Sequence, residues 1–209
     1  MNKLYYFISI FFLLLLSSCN NKIEDFTSSS LIVEKFNLSH FNKSGEKLYM
    51  LETPYSVFNK STQTYSLKNT NIKFFDLGIV KYIISADSAR LSNSNKLIEL
   101  KGNIEISDIK NNKTTIKSES LTWNIDKSEF ILYGNVKLVN NKISLNSSKA
   151  ILDKNTNIIL FFNPVKYNFI DDNNITKYNI KSENAYYDLV NKNVVFKSET
   201  SKVKSKLLF

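Results

Sequence analysis

The chain has one cysteine and one histidine in 209 residues, with 4 glycines and 2 prolines. One cysteine cannot form an intrachain disulfide, so a disulfide framework is excluded. A tetrahedral Cys/His zinc site lacks ligands for the same reason. Any histidine-based nucleophilic triad would have to be built on His40, which reads as a loop residue with no acidic partner in its neighbourhood. Four glycines leave almost no material for phosphate-cradling loops. Arginine is nearly missing: Arg90 stands alone beside 27 lysines. Without the guanidinium fork, sequence-specific DNA binding is not expected. The net charge of +9 is thus lysine charge in an Asn- and Ile-rich composition. It reads first as compositional bias and is also compatible with an anionic lipid. Acidic pairs such as Asp171-Asp172 fall in turns, where carboxylates serve the backbone. No cofactor, metal or catalytic residue is expected.

What is present begins with hydrophobicity. Leu4 to Leu16 is an uncharged run of 13 residues behind Lys3. A spanning helix needs roughly 20 apolar residues, so this run fits the core of a secretory signal. It ends in Leu16-Ser17-Ser18-Cys19. Small residues before a cysteine resemble a bacterial lipobox, in which Cys19 becomes the first mature residue and carries acyl chains. A retained signal-anchor is the alternative. The boundaries that follow are a lipoprotein signal peptide over residues 1–18, a polar tether over 19–30, and a single domain over 31–209. The mature chain is then expected outside the cytoplasm, lipid-anchored in the cell envelope.

From Leu48 onward apolar and polar residues alternate, as in Ile98-Glu99-Leu100-Lys101 and Phe130-Ile131-Leu132-Tyr133. Period two places one face in a core and the other in water. Asn and Asp clusters mark the turns, among them Asn93-Ser94-Asn95, Asn111-Asn112, Asn140-Asn141 and Asp171 to Asn174. No helical period appears after residue 31, so the fold class is all-β. The runs also repeat. Small residues Ala86, Ser118, Ser147 and Ser182 recur 32, 29 and 35 positions apart. A weaker copy from Met50 to Phe74 has Thr53 in that slot. About five copies of roughly 32 residues predict a stacked β architecture. Each copy reads as a strand, a corner, a second strand, a turn and a third strand. Apolar parity slips between Ser118 and Leu121, which requires a bulge or corner. Gly102 and Gly134 occupy matched places inside strand runs, suggesting a bend or a close approach between backbones.

The repeated unit, Ile-x-(Ser/Ala)-x-x-(Ala/Leu)-x-(Leu/Trp/Tyr) followed by Gly-Asn-(Ile/Val), resembles the periplasmic proteins of lipopolysaccharide export, the OstA-like, LptA/LptC group. The Phe36 to Met50 stretch, with Gly45 before Leu48-Tyr49, looks like the start of the LptC branch. The resemblance spans about residues 31–200. It implies an open, twisted β-jellyroll whose groove holds lipid acyl chains. It also implies a relay in which an inner-membrane ABC transporter complex meets the N-terminal edge and a soluble periplasmic β-jellyroll bridge meets the C-terminal edge. The cargo is lipopolysaccharide or a related glycolipid, and the placement the resemblance implies is the periplasmic side of the inner membrane. The lipobox departs from the transmembrane anchor familiar in that branch.

The physical argument agrees. Acyl chains crossing water need a dry trough, and each repeat can add a segment of similar affinity, at roughly 25 cal/mol per Å² of apolar surface. Parity nominates the inward residues Leu100, Ile104, Leu121, Trp123, Ile125, Phe130, Leu132, Val136, Leu152, Phe161, Tyr187 and Phe196 as groove lining, with core packing as the competing role of each. Ile98, Ile106, Leu138 and Ile159 share that parity. Lys202 to Phe209 reads either as a frayed tail or as a final docking strand. Two other classes compete: a structural or adhesive surface lipoprotein with a packed interior and no cargo, and an envelope hydrolase, for which no facing carboxylate pair is visible.

Overall fold

The computed structural model describes residues 30–92, 94, 96–109, 114–162, 164–170 and 176–207. Cys19 and the signal segment lie outside the described residues. Among those described there is no helix, and the strands form one sheet. They are β1 (Ser30–Phe41), β2 (Lys47–Asn59), β3 (Thr64–Asp76), β4 (Ile79–Ser92), β5 (Leu97–Asp108), β6 (Thr115–Asn124), β7 (Glu129–Val139), β8 (Ile143–Asp153), β9 (Ile158–Phe162), β10 (Val165–Ile170), β11 (Thr176–Ser182), β12 (Asn184–Asp188), β13 (Val194–Lys197) and β14 (Lys204–Leu207). His40 is in β1, not a loop, and stacks on Tyr49 with ring centroids 5.2 Å apart.

β1 to β8 form an antiparallel meander in chain order. Every long strand is interrupted near its middle. The register shifts between Ser85 and Ser88, Lys101 and Ile104, Lys117 and Ser120, and Tyr133 and Val136. Left-handed backbone falls on the same line, at Lys35 (φ 52°), Asn69 (φ 51°), Asn103 (φ 45°) and Asn135 (φ 45°). An extra residue with φ above zero bends a strand and flips its parity, so the whole sheet creases along this line into two leaves. The parity slip at Ser118 to Leu121 is this crease. The repeat is therefore two long creased strands, not three strands with a corner between the first two.

The crease explains the small-residue slot. Thr53 Oγ1 donates to the Tyr55 carbonyl at 3.0 Å, Ser118 Oγ to Ser120 at 3.3 Å, Ser147 Oγ to Lys149 at 2.6 Å and Ser182 Oγ to Asn184 at 2.9 Å. The bulge frees a carbonyl two residues on, and a short hydroxyl is what reaches it. All four side chains are buried. Ala86 holds the slot by size alone. Gly102 and Gly134 have φ of +77° and +74°, and a Cβ on either would overlap the side chain of Asp87 or Glu119. The close approach is thus to a carboxylate, not to another backbone. Asn103 Nδ2 donates to Asp87 Oδ2 at 2.9 Å, and Asn135 donates to Glu119 in the same way.

At β8 the crease becomes a split. Its first half pairs with β10 and its second half with β9. Ser147 sits at the fork, its single hydroxyl proton shared between the Lys149 carbonyl and the Phe162 carbonyl at 2.7 Å, and its Oγ accepting from the Lys149 and Phe162 amides. One leaf then continues through β10 and β11 to β14, the other through β9 and β12 to β13. Lys204–Leu207 is thus a paired final strand, which decides between the two readings of the tail. The Glu183 carboxylate, beside Ser182, accepts the amides of Glu199 at 2.8 Å and Thr200 at 3.2 Å and ties the β13–β14 crossover back to the crease.

Candidate functional site: the interior and the seam

The first leaf contains the halves of β2, β4, β6 and β8 before the crease and of β1, β3, β5 and β7 after it; the second leaf contains the rest. Side chains from the two leaves meet in the middle. Tyr49 and Phe74 of the first leaf contact Trp123 of the second, with ring centroids 4.8 and 4.7 Å apart, both edge to face. Phe74 also meets Phe130 at 5.4 Å, and Trp123 stacks on Phe130 at 5.2 Å. Further along, Tyr167 of β10 meets Phe196 of β13 at 5.1 Å. The partners lie several strands apart across the sheet, because the sheet twists as it folds over. Edge-to-face geometry matches the ring quadrupoles and adds about 0.5–1.5 kcal/mol per pair beyond area burial.

All twelve nominated residues point into this interior. Leu100, Ile104, Leu121, Trp123, Phe130, Leu132, Val136, Leu152, Phe161 and Tyr187 are buried, and Ile125 and Phe196 are half-buried against the same cluster. The structure brings them together with one another and with Tyr49, Leu51, Ile72 and Phe74, which the sequence reading left out. The same period-two argument, applied to the weak first copy, finds those four. The sheet stays open, as the jellyroll reading expects, and the inward side chains of its two leaves pack closely against one another.

The edges of the leaves opposite the crease form a seam. Asn140 Nδ2 donates across it to Tyr187 Oη at 3.2 Å, and Lys81 Nζ donates to Asn157 Oδ1 at 3.4 Å. Between these edges lies a cavity of about 10 Å³, backed by Phe74, Ile84, Ile106, Phe130 and Leu152 and fronted by Tyr82, Lys154 and Asn157. It continues outward into a groove of about 380 Å³ bordered by Lys47, Phe75, Leu77, Lys81, Tyr82 and Lys154. Lys81 pairs with Asp76 at 3.7 Å. Lys154 Nζ sits 5.4 Å from the Phe74 ring centroid. Burial, then the charge of Lys81, lowers the pKa of Lys154, while Asp76 opposes the shift. Burial, reinforced by Asp108 and Asp76, raises the Tyr82 phenol to about 12. These seam residues lie at strand ends and turns, where a lysine carries no periodic signal, so sequence reasoning passed over them. Among the described residues no group of three His, Cys, Asp or Glu gathers as metal ligands.

Comparison with known proteins places these features. The family described as lipopolysaccharide-assembly, LptC-related, matches residues 4–138. The family described as LptA/(LptD N-terminal domain) LPS transport protein matches residues 115–207, overlapping the first over β6 and β7. No curated protein matches the chain. Among solved structures it is similar to LptH of Pseudomonas aeruginosa, described as the LptA homologous periplasmic component of the conserved lipopolysaccharide transport device. The identity is 14%, the match covers 61% of this chain and 94% of that one, and the TM-score is 0.49.

Proposed function

Because this chain belongs to the lipopolysaccharide-assembly, LptC-related family, whose members are non-enzymatic periplasmic bridge proteins, we propose that it carries lipopolysaccharide, or a related envelope glycolipid, with the acyl chains held between the two leaves. The observation that carries this reading is the continuous apolar inner face, to which successive repeats contribute equivalent residues: Leu100 and Ile104 from β5, Leu121 and Trp123 from β6, Leu132 and Val136 from β7. Equivalent segments bind an acyl chain with similar affinity, so cargo can advance without a deep trap. Since the inner side chains pack closely against one another, acyl chains are received by parting the seam. The crease is locked by buried hydrogen bonds, whereas the seam is held by a few polar contacts, so the leaves open there at least cost.

The anchor and partners complete the proposal. Cys19 bears the lipid and holds the domain at the inner membrane through the 19–30 tether. The ABC transporter complex docks on β1. Among the described residues that strand pairs only with β2, with Leu31 53% and Ile32 60% exposed, and such an edge suits β-augmentation. The soluble bridge docks at the other end, on β13 and β14.

Photocrosslinking side chains at Trp123, Phe130 and Leu132 test the groove. Capture of lipopolysaccharide in cells at these sites, and not at outward positions of the same strands, is the expected result. One observation favours a second reading, a structural surface lipoprotein without cargo: the interior is already packed. Folded protein that captures no glycolipid at any of the three sites establishes that reading instead.

A further inference from the structure

We propose that the seam at Lys81 and Lys154 is a recognition site for a phosphate monoester on an acylated lipid, gripping the head while the acyl chains pass inward. This rests on the cargo reading above and adds the chemistry that selects the cargo and the place where it enters.

Two cations from opposite leaves converge on one opening. Lys81 lies in β4 of the first leaf, and Lys154 follows the last residue of β8 in the second. Behind them the wall is apolar: Phe74, Ile84, Ile106, Phe130 and Leu152. A polar mouth with an apolar back fits an amphiphile and neither a free sugar nor a simple alkane.

The charge balance specifies the head. Lys81 shares its charge with Asp76, while among the described residues no carboxylate forms an ion pair with Lys154. Asp76, already paired with Lys81, acts on Lys154 only from a distance, and a half-buried ammonium with no carboxylate in contact is costly unless a ligand supplies one. The lowered pKa of Lys154 has burial as its main cause and the nearby Lys81 as its second; an anion between the two amines relieves both. Lysine acts as a point charge with three donors, suited to a compact phosphate. The groove outside is lined by Lys47, Lys81 and Lys154 against the carboxylates Glu46 and Asp76, so its balance of charge favours an anion. The same ligand relieves the seam's own weakness, because a phosphate held by both lysines bridges the leaves once the Lys81–Asn157 contact opens.

The test compares binding of lipopolysaccharide, the same material dephosphorylated by a phosphatase, and inorganic phosphate to the full chain. Lys154→Met and Lys81→Gln remove the charges. Lys154→Arg keeps its charge, and Lys137→Gln removes an exposed lysine elsewhere. Wild type is expected to bind the phosphorylated lipid about tenfold more tightly than the dephosphorylated form, a gap that Lys154→Met abolishes and Lys154→Arg restores. Lys137→Gln leaves the gap intact. Equal binding of both lipids to wild type overturns the phosphate site while leaving the cargo reading standing. Failure of wild type to bind either lipid removes the cargo reading itself, and this proposal with it. Inorganic phosphate binding that depends on Lys154, with no difference between the lipids, assigns the site to free phosphate and overturns the lipid-head proposal. Near-UV circular dichroism of Lys154→Met, through the rings that include the neighbouring Phe74, checks that the variant keeps its packed interior.

Discussion

Trp123 meets Phe74 edge to face across the interior, with ring centroids 4.7 Å apart and planes at 63°; the two rings come from opposite leaves and hold the middle of the fold closed. Replacing Trp123 by Ala is expected to cost about 3–5 kcal/mol, the range for removing a buried large aromatic. Trp123→Phe is expected to cost less, because the buried indole Nε1 has no hydrogen-bond partner among the described residues. Urea unfolding followed by circular dichroism gives both values. The chain has a single Trp, so its fluorescence also reports on cargo. Acyl chains brominated along their length should quench Trp123 if they pass between the leaves. Adsorption to the outer face leaves the emission unchanged.

The crease glycines are expected to tolerate nothing larger. Gly102 has a φ of +77° and its missing Cβ faces the Asp87 carboxylate. Gly102→Ala therefore carries a backbone cost of about 1–2 kcal/mol and a steric cost in addition. Asp87→Ala in the same chain should recover the steric part and leave the backbone part. A double-mutant cycle on denaturation midpoints separates the two. Strict additivity of the two changes would show that Asp87 does not crowd the site.

Ser147 holds the fork where the sheet divides. Ser147→Ala leaves the Phe162 and Lys149 carbonyls short of a buried donor and is expected to cost about 1–3 kcal/mol. The loss should be local as well as global. Backbone amides of β9 should exchange with solvent faster relative to those of β5 in the variant, measured by hydrogen exchange. Uniform acceleration across all strands would place the hydroxyl's effect elsewhere.

Tyr49 is buried, and burial raises its phenol to about 12. An unfolded tyrosine titrates near 10. The native state thus holds this proton more tightly, so the stability it supports is intact below about pH 10 and is lost as the pH rises toward about 12. Tyr82, also raised to about 12, adds to the same window. Tyr49→Phe should flatten the alkaline fall in denaturation midpoint between about pH 10 and about pH 12. At neutral pH it should raise stability by up to about 1 kcal/mol, since the buried Tyr49 hydroxyl has no partner among the described residues. An unchanged alkaline slope in the variant would assign the effect to the other phenols that burial raises, Tyr82, Tyr167 and Tyr187.

Much of this protein was legible in order of locality. The inward residues from Ile98 to Leu138 follow from alternation, because a strand's period of two assigns each side chain to a face with no knowledge of its partner. The crease was legible as the slip between Ser118 and Leu121, since parity cannot change within a regular strand. The hydroxyl slot at Thr53, Ser118, Ser147 and Ser182 was visible as spacing, and its bond to the carbonyl two residues on explains it. The glycine position was legible too, although its neighbour proved to be a carboxylate.

What only the tertiary structure decided is which parts of the sheet face one another. The meeting of Tyr49 and Phe74 with Trp123, of Tyr167 with Phe196, and of Lys81 with Lys154 depends on the accumulated twist between many strands. That twist is a property of the whole sheet, carried in no single repeat. The same holds for the filled interior: parity assigns residues to the inside, but whether the inside is a trough or a packed core depends on how closely the second leaf approaches. The sequence by itself determined the strands, their faces and the line on which they fold. The folding-over, a long-range event, decided the seam and the pair of lysines that stand on either side of it.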